Sequence, residues 1–288
     1  MIRGVSFVVL AACAWGTWSL FLRPLGLPSA WSSTLIFVFI SLLAIPLYRR
    51  EITPRWDRET FVLLGAFAVL DAVNVGMFFA AMSMTSVAIA VLTHSFAPVV
   101  VALAAPFVER QRVRSAPIAA SIALAGIVLL LRPWEPEALS GSVLAGAALG
   151  SASALAYAGN VFLARRLTPR IGAARTMGLH SIGSALLLLP IALVTPAEIG
   201  VSSLCVLAIA AALLGVGANV LFANGLVAIG SARGAVLAFL EPLVACVVGW
   251  LVWGEALAAT AILGGLLIIG AGVMVARPEA DRPRTRAA

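Results

Sequence analysis

Residues 61–82 read FVLLGAFAVLDAVNVGMFFAAM, an apolar run broken by one ionisable side chain, Asp71, near its centre. A run of roughly 18 or more such residues spans the hydrocarbon core of a bilayer as a helix. The next run, 86–107, follows almost at once, so the two pair as an antiparallel hairpin. Working outward, the same reading gives apolar runs at about 4 to 22, 30 to 48, 61 to 82, 86 to 107, 115 to 131, 141 to 163, 176 to 195, 202 to 224, 231 to 253 and 258 to 276. The expected fold class is an all-α membrane protein with ten transmembrane helices. The longest loops are expected at Arg49 to Thr60 and Ala164 to Arg175, and residues 277–288 form a polar tail.

Composition agrees with that reading. Of 288 residues 62% are hydrophobic and 11% charged, with a mean hydropathy of +1.09, whereas a soluble domain carries about 25% charge. The net charge of +7 comes from nineteen basic residues, every one an arginine. Their placement points away from nucleic acid: they cluster beside apolar runs, as in Arg49, Arg50, Arg55 and Arg58. With ten crossings, seventeen fall on the side of the N-terminus and only Arg23 and Arg132 on the other. Positive charge stays in the cytoplasm, so both termini are expected there, in a multi-pass protein of the cell membrane. Cys13, Cys205 and Cys246 lie inside apolar runs without metal-ligand or paired spacing, which indicates neither a disulfide framework nor zinc.

The two halves of the chain echo one another. At an offset of 144, Leu42-Leu43-Ala44-Ile45-Pro46 falls on Leu186-Leu187-Leu188-Leu189-Pro190, and Pro98 on Pro242. After a slip of two, Glu109 meets Glu255 and Ala125-Gly126-Ile127 meets Ala271-Gly272-Val273. A duplicated unit with five crossings enters its second copy from the opposite face, so the expectation is two inverted five-helix repeats, residues 1–137 and 138–276. Such symmetry belongs to proteins that alternate between two openings around a site near the bilayer midplane.

Gly230-Ser231-Ala232-Arg233-Gly234-Ala235, Leu240-Glu241-Pro242-Leu243 and Trp253-Gly254-Glu255-Ala256-Leu257, with the Gly-rich last run, resemble the drug/metabolite transporter superfamily and specifically its EamA branch. The first-half counterpart runs from Thr85-Ser86-Val87-Ala88 through Pro98 to Glu109-Arg110; it departs from the pattern at Ala97, where an acid would precede Pro98, and at Val108, where Gly would precede Glu109. The resemblance covers essentially the whole chain. It implies a ten-helix fold with a central cavity that moves small organic metabolites or toxic compounds, often outward.

Only two acids, Asp71 and Glu241, sit at membrane depth. A central carboxylate costs about 2.5–3.5 kcal/mol on translocon scales, so such groups face a cavity or a partner. Each is a candidate for binding a proton or cation, and each has a structural alternative as a hydrogen-bonded or paired acid. Asp71, Asn74 and Phe78 fall at i, i+3 and i+7, a carboxylate, an amide and a ring along one helical face. Asp71 and His94 lie at similar depth in the hairpin and are expected to interact across it, while His180, close to the end of its run, reads as structural. Trp15, Tyr157, Asn160 and Asn219 complete the set expected around a solute. Trp15 and Tyr157 are related at an offset of 142, and Asn74 and Asn219 at 145. Pro46, Pro98, Pro190 and Pro242 are expected as bends around the site.

No phosphate-binding loop, GxSxG, HExxH or dinucleotide signature is present, so no cofactor is expected and ATP does not drive the chemistry by any recognisable motif. The expected function is secondary active export of an amino acid, amine or similar amphipathic solute by alternating access, driven by a proton gradient or by exchange. An uptake permease of the same fold, an intramembrane enzyme and an assembly protein are the alternatives. The expected partners are the lipid bilayer and a small-molecule substrate, with a homodimer as a further expectation.

Overall fold

The structure is a computed structural model that describes residues 1–110, 113–139, 141–256 and 258–277. Among the described residues every regular element is helical. Among the described residues nine helical segments are long and apolar enough to cross a membrane: α1 (Ile2–Leu25), α2 (Ser29–Arg50), α3 (Arg58–Met84), α4 (Val87–Val108), α6 (Val143–Ile171), α7 (Ala173–Leu193), α8 (Val201–Ile229), α9 (Ser231–Trp253) and α10 (Ala259–Ala276). Between α4 and α6 lies α5 (Ser115–Leu131), a shorter apolar helix.

Several ends differ from expectation, most of all at residues 164–175. The expected loop is helical to Ile171, and α7 starts at Ala173 after the single residue Gly172. At φ +92° Gly172 takes a backbone conformation that other residues rarely adopt. Gly230, at φ +88°, makes the same one-residue turn between α8 and α9. Arginines near a helix end carry α6 beyond its apolar stretch, because their charged heads find acids there. Arg165 pairs with Glu109, Arg166 with Glu59, and Arg170 with Asp57 and Glu59. The loop expected before Thr60 has no regular structure from 52 to 57, and Asp57 then caps α3 by accepting from Thr60 N at 2.8 Å.

The interior is built largely from alanine, with larger side chains such as Ile127, Leu167, Ile171 and Leu207 filling it, while Phe107, Leu144, Val194 and Val201 stand 78–85% exposed on the outside. That inversion suits lipid, where close backbone approach rather than water exclusion holds helices together. The tightest example is α5 against α10: a Cβ on Gly126 would lie 2.6 Å from the carbonyl oxygen of Gly264. The other main pairings join α1 to α8, α2 to α7, α3 to α6 and α7, α4 to α6 and α9, α2 to α8, and α1 to α9.

Residues 1–3 share one surface depression with Val273, Ala276 and Arg277, so the two ends of the described chain meet on one face. The same face carries the ion pairs of α6. The opposite face holds Arg23 paired with Glu255 at 2.7 Å, Trp31 Nε1 donating to the Thr195 carbonyl at 2.8 Å, and a backbone bridge between Thr85 and Gly141.

Breaks in the rods are local and have identifiable causes. Both α4 and α9 are interrupted just before a proline, at Ser95–Phe96 and at Phe239, and resume with Pro98 and Pro242 in the first turn of the next piece. Pro46 lies in the 3-10 turn that closes α2, whereas Pro190 is carried within α7. In α8 the stretch Ala211–Ala218 is π-helical, a wide turn hydrogen-bonded from i to i+5.

Candidate functional site

Asp71 stands where α3 crosses α6 and α7, and its carboxylate is held from both. Oδ2 is 3.0 Å from His180 Nε2, and Oδ1 accepts from Asn160 Nδ2 at 2.9 Å. Asn74, one turn further along α3, points its Nδ2 at the same Oδ1 from 3.5 Å. The pair is deep: the side chains of His180 and Asp71 are 5% and 16% exposed. His180 Nδ1 lies 2.8 Å from the Thr176 carbonyl, and its ring stacks on Phe67 with centroids 3.9 Å apart and planes 6° apart. Phe37 of α2 meets the His180 ring in an edge-on arrangement, centroids 6.4 Å apart.

Here the geometry departs from the sequence reading. Asp71 and His94 do not touch. The partner of Asp71 is His180, on a helix more than a hundred residues away, and His94 is joined to Asp71 only through two intermediates. His94 Nδ1 is 2.9 Å from Ser153 Oγ, which also faces the Asn74 carbonyl and Asn74 Oδ1 at 2.9 Å each. A hydroxyl has one proton; with it directed at Asn74, Nδ1–H of His94 donates to Ser153. A polar thread thus runs from His180 through Asp71, Asn74 and Ser153 to His94.

Rings close one side of this thread. His94 has Phe78 at 4.8 Å and Tyr157 at 5.4 Å between centroids. Tyr157 is within Coulombic reach of both Asp71 and Glu241, which links α9 to the site. Glu241 itself makes no hydrogen bond or ion pair among the described residues. Asn160 Oδ1 is buried with no partner, a spare acceptor beside the carboxylate. Asp71, Asn74, Phe78, His94, Tyr157 and Asn160 therefore gather at one place, whereas no hydrogen bond or ring contact joins Glu241 to them among the described residues.

Trp15 and Asn219 are spent elsewhere. Trp15 Nε1 donates to the Leu214 carbonyl at 3.2 Å and its ring meets Phe222 at 4.8 Å; Asn219 Nδ2 donates to the Gly215 carbonyl at 2.6 Å. Both acceptor carbonyls lie within the π-helical turn of α8. Ser153 and His180 were missing from the sequence-derived set. No pattern in the chain marks either, since their partners lie on helices that are not sequence neighbours. Among the described residues no group of three or more His, Cys, Asp or Glu side chains is arranged to hold a metal ion.

The arginine-rich face is clamped by its own network. Arg170 Nη2 reaches both Asp57 oxygens at 2.9 Å and Glu59 Oε2 at 2.9 Å. The Thr60 backbone N–H, then the Arg170 guanidinium, hold the Asp57 carboxyl well below the usual carboxylate range. Glu51 caps the start of α7, accepting from Ala174 N at 2.5 Å and Arg175 N at 3.0 Å, where the helix dipole favours an anion. Glu109 joins Arg165 to Ser231, tying α4, α6 and α9 together.

Residues 2–132 and 144–277 each match the EamA-like transporter family. The chain belongs to that family, and through it to the drug/metabolite transporter superfamily: it is a membrane protein of transporter type. A protein of Archaeoglobus fulgidus described as an uncharacterized transporter is 33% identical over 279 residues, covering 96% of this chain and 97% of its own. A solved crystal structure superposes over 95% of this chain and 98% of its own with a TM-score of 0.79 at 20% identity, a likeness of fold.

Proposed function

We propose that this protein is a secondary transporter of the cytoplasmic membrane that exports a small amine-bearing, amphipathic metabolite, coupled to the proton gradient or to exchange. The observation that carries the reading is the Asp71 site: a mid-bundle carboxylate from one half of the chain is held by Asn160 and His180 of the other half. Any rocking of one half against the other strains that junction, so occupancy of the site and the shape of the bundle are linked.

The ligand chemistry follows from what the site leaves unpaired. An ammonium brings three N–H donors; the site offers the unpartnered Asn160 Oδ1 beside the Asp71 carboxylate. Phe78, Tyr157 and the His94 ring provide faces for an aromatic or alkyl body, and rings attract cations directly. An amine with an apolar end satisfies both requirements.

Ten crossings in two inverted repeats are supported by the pairing of helices. Exchanging α1 with α6, α2 with α7, α3 with α8, α4 with α9 and α5 with α10 maps the main pairings onto themselves. For instance, α3 on α6 becomes α8 on α1. The two successive family matches support the duplication. Arginine asymmetry supports the face with residues 1–3 and 277 as the cytoplasmic one.

The test is flux in proteoliposomes loaded with a pH-sensitive dye, with tryptamine as probe. A tryptamine gradient is expected to drive protons the opposite way, and Asp71→Asn to abolish this coupled movement while inserting normally. Full gradient-driven transport by Asp71→Asn, with unaltered pH dependence, overturns the role of Asp71.

A further inference from the structure

We propose that Asp71 and His180 together hold one exchangeable proton, seated on His180 Nε2 and directed there by the Thr176 carbonyl. This deepens the proton coupling proposed above and moves its seat from a lone carboxylate to a pair.

The argument is one of donors and acceptors. A carbonyl oxygen only accepts, so the 2.8 Å contact between Thr176 O and His180 Nδ1 requires a proton on Nδ1. A neutral imidazole has no second N–H, which leaves Nε2 as a bare lone pair. Nε2 is 3.0 Å from Asp71 Oδ2, and two lone pairs at that distance repel. The contact exists because a proton lies between them.

Two features place that proton on the ring rather than on the acid. Asp71 Oδ1 already faces two amide donors, Asn160 Nδ2 at 2.9 Å and Asn74 Nδ2 at 3.5 Å, and donors to a carboxylate favour its ionised form. The His180 ring lies flat on Phe67 at 3.9 Å, whose π face attracts an imidazolium. The loaded pair is therefore imidazolium and carboxylate, neutral in sum within the apolar bundle.

When the proton leaves Nε2 for solvent, the ring keeps Nδ1–H on Thr176 and the carboxylate is left bare. The bare carboxylate then carries the uncompensated charge that a cationic solute neutralises. The other ionisable groups facing this point are Tyr157 of α6, Glu241 of α9 through Tyr157, and His94 of α4 through Ser153 and Asn74. From α2 the neighbour is the Phe37 ring, and Cys205, the ionisable residue of α8, is exposed.

The experiment is nitrogen-15 NMR of the two imidazoles in the full-length protein in lipid nanodiscs, from about pH 5 to about pH 9, with His180 assigned by its disappearance in His180→Gln. The expected result is a His180 ring that keeps Nδ1–H throughout and gives up Nε2–H as the pH rises. In Asp71→Asn the new amide donates to Nε2, so the ring carries a single proton across the range. A wild-type His180 whose proton count does not change with pH, or whose neutral form keeps Nε2–H instead of Nδ1–H, overturns the proposal. An Asp71→Asn ring that retains its second proton does so too, and if that variant does not fold, the wild-type titration decides alone. No solute enters this measurement, so the proton site stands or falls separately from the transport of tryptamine.

Discussion

Asp57 illustrates what single side chains do at the rim of this bundle. It caps α3 through Thr60 and receives Arg170 from α6, so one carboxylate both ends a loop and joins the two halves of the chain. Its folded carboxyl titrates below its unfolded value. Such a group contributes stability above the unfolded pKa of about 3.9 and loses it as the pH falls toward the folded one. Thermal melts in detergent are accordingly expected to show a constant gap between wild type and Asp57→Asn above about pH 5, closing below about pH 4; a gap that widens on acidification contradicts the assignment. At this scale the sequence was informative about solitary, costly groups and silent about their partners. Asp71 stands out because it is an acid in the middle of an apolar run. His180 does not, because near the end of a run a histidine costs little. Depth in a hairpin led to His94, the nearest basic ring along the chain, whereas α7 supplies the actual neighbour.

Helices pack here by letting backbones meet, and α5 and α10 do so most closely. A side chain at Gly126 would collide with the Gly264 carbonyl, whereas a Cβ on Gly270 of α10 meets nothing within 4 Å. Gly126→Ile is therefore expected to destabilise the protein by about 1–3 kcal/mol, and Gly270→Ala to stay within about 0.5 kcal/mol, as read by unfolding in detergent. Equal effects would show that the pair is not held by close approach. Hydropathy revealed these rods because a bilayer demands long apolar runs. It misjudged residues 164–175, where arginines read as loop. A helix that leaves the hydrocarbon goes on if its charges are paired, and the acids that pair Arg165, Arg166 and Arg170 lie on other segments. The π-helical turn of α8 was likewise invisible, since Ala211–Ala218 is as apolar as its surroundings. Its consequence for the site is direct: Trp15 and Asn219 serve that turn rather than the Asp71 thread.

For the molecule as a whole, the arginine count and the coordinates agree on which segments share a face. Residues 1–3, Glu51, Asp57, Arg170 and Arg277 gather on one, and Arg23, Thr85 and Gly141 on the other. Reporter fusions at residue 277 and within 52–55 are expected to read as cytoplasmic, and an insertion at Trp134 as external. Reporters at 277 and 134 on the same side would refute the threading. How the two halves of the chain interlock was not legible, because inter-helix partners leave no periodic trace in a single chain.

The meeting of residues 1–3 with Arg277 has a consequence for how the chain could be rewired. Ends that close are natural to splice, and the turn before Val143 is a place to cut. A circular permutant made this way would keep every contact of the parent while both new ends emerge on the other surface. The finished object would be unchanged, yet the ribosome would deliver its rods in an order that asks the insertion machinery to begin upside down. Whether such a chain reaches the same form would separate the information held in packing from the information held in the sequence of delivery.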